Sequence, residues 1–187
     1  MKRIYLILVL FILFSGCDRD ICDCEPDEEN RVLTEAVIVV LDTSEERYKR
    51  LEGNKIAKKD FGIYFDIDTE LQKPETPKCP CREANVNFYT EWVVYVNVYF
   101  HDLDTGKRIL VNDKLAYVNS VEKLSFKNFE ALLLNPKERQ LTFYNNFTLV
   151  IDDSKDLPEN IRIEIVTQTH LGNTFRVITE TPIQLLD

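Results

Sequence analysis

The sequence predicts a mostly β domain, an antiparallel β-sandwich of about seven or eight short strands with one short helix. Three observations lead there. Stretches rich in β-branched and aromatic residues alternate with a period of two. Turn signals built from Asp, Asn, Gly and Pro separate them. Helical spacing is clear in one place, around Phe126–Leu134.

The chain opens on a segment that is not part of the fold. Lys2 and Arg3 precede Ile4–Phe14, an unbroken apolar run of eleven residues. That run is short of the ~20 residues a membrane-spanning helix needs, and it suits the core of a signal peptide. Ser15-Gly16-Cys17 then follows, and small residues before a cysteine resemble the bacterial lipobox, with Phe14 departing from the usual Leu. The resemblance implies that residues 1–16 are removed and that Cys17 carries acyl chains, which makes the membrane a partner through a lipid anchor. Two or three chains suffice for stable attachment where one is marginal. Residues 17–31 read as a lipidated acidic tether: seven of the twelve residues from Asp18 to Glu29 are acidic, and such a run cannot bury itself. Residues 32–187 form the β domain.

Leu33–Leu41 is the first strand, apolar enough to suggest burial on both faces. Asp42–Asn54 is polar and reads as a loop with a helical turn over Glu45–Leu51. Phe61–Thr69 is a strand with Phe65, Ile67 and Thr69 on one face and Asp66 and Asp68 on the other. Gln72–Glu83 holds three prolines and is a loop. Glu91–Phe100 is the strongest strand; its alternation predicts Trp92, Val94, Val96 and Val98 in the core, with Trp92 the largest member. Asp102–Gly106 is a hairpin turn into Lys107–Val111, and Leu115–Val118 is a short strand. Apolar residues at 126, 129, 132 and 133 predict a helix bridging the sheets, capped by Ser125 and stopped at Asn135-Pro136. Leu141–Ile151, Ile161–Thr169 and Thr174–Leu186 are the last strands, with a tight hairpin at Leu171-Gly172-Asn173. Pro182 places the final strand at an edge or breaks it.

The strand pattern fits an immunoglobulin-like sandwich in architecture, without the Cys–Trp–Cys spacing of antibody domains. Together with the lipobox, the chain resembles the small Bacteroidetes-type lipoproteins of unknown function, and the acidic stretch behind Cys17 looks like their surface-export signal. The resemblance implies an outer-membrane lipoprotein of the cell envelope, on its periplasmic or surface-exposed side.

Charge narrows the partners. With Lys2 and Arg3 gone, 21 basic residues face 32 acidic ones, and the net charge moves from −9 to −11. Phosphate backbones and anionic lipid surfaces repel such a chain, so no nucleic acid is expected. Five glycines leave little for a phosphate-binding loop.

Four cysteines remain besides Cys17: Cys22, Cys24, Cys79 and Cys81. Two Cys-x-Cys pairs in an exported protein most simply form two disulfides. A bridge inside Cys-x-Cys closes a strained ring, which favours pairing between the motifs. The first such link closes a loop of nearly sixty residues and stabilises by about 4 kcal/mol in the chain-entropy model. Four thiolates at these positions are alternatively a soft-metal site for Zn or Cu(I), and a third reading leaves them as free or redox-active thiols.

The other polar candidates have plainer readings. Asp102, Asp104 and Gly106 open like a calcium loop but lack its later ligands, so a hairpin turn is favoured. Asp66 and Asp68, and Asp152 and Asp153, could hold a cation or simply be solvated. His101 and His170 end strands, without a nucleophile or carboxylate at telling spacing. Asn146-Phe147-Thr148 matches a glycosylation acceptor that a bacterial lipoprotein does not use. The sequence therefore predicts a non-enzymatic binding or structural module with no catalytic residues and no cofactor, meeting a protein or glycan at the cell envelope; the alternative is a metal-handling lipoprotein.

Overall fold

The computed structural model describes residues 29–71, 87–89, 92–119, 122–135 and 146–187. The strands in chain order are β1 (Glu29–Asp42), β2 (Lys49–Arg50), β3 (Lys55–Ala57), β4 (Phe61–Leu71), β5 (Asn87–Tyr89), β6 (Val93–Asp102), β7 (Arg108–Leu110), β8 (Leu115–Val118) and β9 (Lys123–Ser125). The helix α1 (Phe126–Leu134) follows, then β10 (Asn146–Ile151), β11 (Asn160–Thr169), β12 (Thr174–Ile178) and β13 (Ile183–Leu186). The fold is mostly β, as expected, and α1 is the one α-helix among the described residues.

Two sheets share one apolar core. The first runs β2-β1-β4-β10-β8-β9, with β5 added to β1; the second runs β3-β13-β11-β6-β7, with β12 added to β11. Neither closes into a barrel. Pairing is antiparallel except at β1–β5 and β13–β3, which are parallel. Phe61, Ile63, Phe65 and Ile67 of β4 point inward, as do Val96, Val98 and Phe100 of β6 and Ile161, Ile163 and Ile165 of β11; all are fully buried. Phe61 and Phe100 meet edge to face across the layers, with ring centroids 5.9 Å apart. Burying each such side chain stabilises by about 1.5–3 kcal/mol.

α1 follows its expected cap and stop. Ser125 Oγ accepts from the Asn128 N–H at 3.4 Å, and Asn135 ends the helix. Phe126, Phe129 and Leu133 are its buried face. Phe129 stacks on Tyr117 of β8 and tilts against Phe147 of β10, while the helix also packs on β6, so it does bridge the sheets.

Four expectations are corrected. β1 is not buried on both faces: Ala36, Ile38 and Val40 pack on the core, but Val37 is 41% exposed. β1 starts at Glu29, ahead of Leu33, and a register shift between Leu33 and Glu35 moves the inward set from odd to even positions. Lys49–Arg50 pairs with Leu41–Asp42 as a short strand where a helical turn was expected. Trp92 is not in the core. The β6–β11 register slips at Val94, where Gln168 faces Tyr95 but Thr169 faces Val93. This bulge reverses the alternation, so Val93 is buried with Val96 and Trp92 turns to the other face. Pro182 acts as expected. β12 and β13 lie along the same side of β11 as one interrupted strand, and Thr179 Oγ1 accepts the Ile163 N–H at 3.0 Å across the gap.

Candidate functional site

The most structured polar feature lies on the outer face of the second sheet. Along β11 the odd residues Ile161–Ile165 point inward, which sends Arg162, Glu164, Val166 and Gln168 outward. Glu164 nevertheless has no exposed surface. Reading Ile161–Thr169 as a strand from its sequence did not single it out.

Cross-strand register explains the burial. Glu164 faces Tyr99 on β6, His101 faces Arg108 on β7, and Val166 faces Arg176 on β12. Arg176 is therefore the diagonal neighbour of Glu164, within reach of a long side chain. Arg108 starts farther away and lies over the Tyr99 ring, its guanidinium carbon 3.4 Å from the centroid. Both close on one carboxylate. Glu164 Oε1 accepts from Arg176 Nε at 2.5 Å and Arg108 Nη2 at 3.1 Å; Oε2 accepts from Arg108 Nε at 2.7 Å and His101 Nε2 at 2.6 Å. A carboxylate only accepts, so the His101 proton sits on Nε2.

Burial pushes the Glu164 carboxyl up, but the hydrogen bonds from Arg108, His101 and Arg176 outweigh it and hold the group at about 2. It is therefore ionised at neutral pH. Two guanidinium charges on one carboxylate leave the cluster net positive. The Arg108 and Arg176 side chains are 44% and 61% exposed, so their remaining N–H groups face solvent.

A second polar ladder lies beside it. Asn97 Nδ2 donates to the hydroxyls of Tyr95 at 2.5 Å and Tyr99 at 3.0 Å, and Asn97 Oδ1 accepts from Asn112 Nδ2 at 3.0 Å. Asn112 also takes the place of a strand beyond the end of β7: its Oδ1 accepts the Val98 N–H and its Nδ2 donates to the Val96 carbonyl. The two tyrosines are thereby fixed, and Tyr95 is 44% exposed. Among the described residues, Glu164 is the one carboxylate at the outward positions of β7, β6, β11 and β12, against Arg108, Arg162 and Arg176.

No protein-family model, curated protein or solved structure matches this chain.

The residues singled out in the sequence distribute as follows. Cys17, Cys22, Cys24, Cys79 and Cys81 lie outside the described residues, as do the signal segment and most of the tether. His101 belongs to the Glu164 cluster. His170 stacks on Trp92, with centroids 3.4 Å apart and planes within 6°; its Nδ1 accepts the Trp92 N–H, and its own N–H donates to the Trp92 carbonyl. Asp102, Asp104 and Gly106 form the favoured turn. Asp102 Oδ1 accepts the Asp104 N–H at 2.9 Å, Asp104 accepts from Asn160 Nδ2, and Gly106 has φ +70. The Thr105 hydroxyl holds the Asp102 carboxyl below its usual range. Asp152 and Asp153 pair with Lys123 and Lys114. Asp66 is half-buried beside exposed Asp68, and burial, then the Asp68 charge, raises its carboxyl. Among the described residues no group of three His, Cys, Asp or Glu side chains is placed to hold a metal ion, and no helix is long and apolar enough to cross a membrane.

A groove of about 370 Å³ opens where the edge of β1 approaches β12 and β13, lined by Val37, Val39, Leu51, Val177 and Ile183 among others.

Proposed function

We propose that this chain is a lipid-anchored, non-enzymatic binding module of the bacterial cell envelope, with an immunoglobulin-like sandwich held by acylated Cys17 on the 17–31 tether. Its partner, a protein or glycan, meets the outer face of β7-β6-β11-β12. The observation that carries the reading is the Glu164 cluster. It holds two guanidiniums through hydrogen bonds on the outer face of the sheet, and rigid donors lose little entropy on binding. Both histidines are committed to structure, His101 to Glu164 and His170 to Trp92, which favours binding over proton transfer.

The test is crosslinking of the full chain on its own cells. Cys17→Ala is expected to release the protein from the membrane fraction. Arg162→Glu with Tyr95→Glu is expected to abolish capture of envelope material while the melting temperature holds. Lys127→Glu, exposed on α1, is expected to leave capture intact. Undiminished capture by the face variant would overturn the reading.

A further inference from the structure

We propose that the ligand of this face is an acidic polysaccharide, one whose sugar rings carry carboxylate or sulfate groups. The inference rests on the binding-module reading above and names its partner. Charge is segregated on this molecule. The whole chain is at −9, yet the outward positions of β7, β6, β11 and β12 carry Arg108, Arg162 and Arg176 against a single carboxylate already consumed by two of them. Such a patch attracts anions against the field of the rest of the protein.

The geometry selects among anions. Guanidiniums match planar, two-oxygen groups through paired N–H donors. Here Glu164 takes Nε and Nη2 of Arg108 and Nε of Arg176, and both side chains stay partly exposed, which leaves N–H groups of each for a second anion. Beside them stands a half-exposed ring, Tyr95, pinned through Asn97, with Gln168 and Thr174 in the same row of the sheet. A flat ring next to amides and hydroxyls suits the apolar face and hydroxyl edge of a sugar. An acidic peptide offers the same charge on flexible side chains, each of which loses rotamer freedom when it is ordered; a carboxylate fixed to a ring avoids most of that cost. Peptides also add along strand edges more than across faces.

The full chain would be run by affinity electrophoresis through gels containing polygalacturonate, dextran sulfate or neutral dextran, with polyglutamate and single-stranded DNA as competitors. Retardation by polygalacturonate or dextran sulfate but not by neutral dextran is expected, and it should weaken with salt. Arg162→Gln, which lies outside the Glu164 cluster, and Tyr95→Ala should each weaken it roughly tenfold, the scale of one lost charge-assisted contact, without lowering the melting temperature. Three results would overturn the inference: no retardation by either polyanion, retardation of both variants as strong as that of the native chain, or competition by polyglutamate or DNA as strong as by free polygalacturonate. If these glycans fail while the face variant still loses envelope capture, the glycan assignment falls and the binding module stands. If capture is also unaffected, both fall.

Discussion

Glu164 and Arg176 sit on neighbouring strands one diagonal step apart, and Glu164 Oε1 lies 2.5 Å from Arg176 Nε. The Glu164 side chain is fully buried while the Arg176 side chain is 61% exposed. The pair is thus asymmetric: removing one partner strands a buried charge, and removing the other does not.

That asymmetry orders the mutations. Glu164→Gln removes the buried charge and leaves two half-exposed arginines that water can solvate, so its cost is about 1–2 kcal/mol. Arg108→Ala with Arg176→Ala leaves the carboxylate buried beside His101 alone, and its cost is roughly 3 kcal/mol or more. Urea melts of the two variants check the order. A larger loss from Glu164→Gln would mean that the carboxylate stabilises the fold by more than its charge pairing.

Acid should unmake the cluster. The folded Glu164 carboxyl lies at about 2, below its ordinary 4.5. Its contribution is therefore complete above the ordinary value and is lost as pH falls through the folded one. The stability gap between the native chain and Glu164→Gln should be constant near neutrality and shrink between about pH 4.5 and about pH 2. Chemical denaturation across that range reads it directly. A gap that survives unchanged to the acid end would mean that Glu164 is not the titrating group.

Most strands, the helix and its cap were legible because each is written in local residues: Ser125 and Asn135 bound the helix, Gly172 marks a hairpin and Pro182 breaks a strand. The Glu164 cluster was not, because Arg108 lies 56 residues from it in the chain and only sheet register joins them. Part of it could have been counted. Pairing outward from the Gly172 turn sets Val166 against Arg176 and so places Arg176 beside Glu164. The bulge at Val94 had no such marker. The alternation rightly placed Val96 and Val98 in the core, but Val93 and Val94 are equally apolar, so it could not show that the inward parity changes before them.

The bulge has an energetic consequence. Phe100 is fully buried between the sheets, so Phe100→Ala removes a packed ring and should cost about 3–5 kcal/mol. Trp92, though larger, lies against His170 at the end of the sheet. Trp92→Ala should cost about 1 kcal/mol, the scale of one stacked pair. A calorimetric comparison that ranked the tryptophan above the phenylalanine would contradict the reversed alternation.

Gly62 tests the close approach of β1 and β4. It faces Leu41 in the register, and a Cβ added there would stand 2.7 Å from Thr43 Cγ2 and 3.4 Å from Leu41 Cβ. The first distance is below any ordinary carbon contact, so Gly62→Ala must displace the threonine. The Thr43 backbone is held in place, since its N–H donates to the Asp60 carbonyl at 2.8 Å. Overpacking of this kind costs about 1–3 kcal/mol. Thr43→Ser deletes the offending methyl and keeps the hydroxyl, so the double variant should recover about 1 kcal/mol relative to the sum of the singles. Strict additivity in a double-mutant cycle of denaturation midpoints would show that the strain of Gly62→Ala comes from Leu41 or the backbone instead.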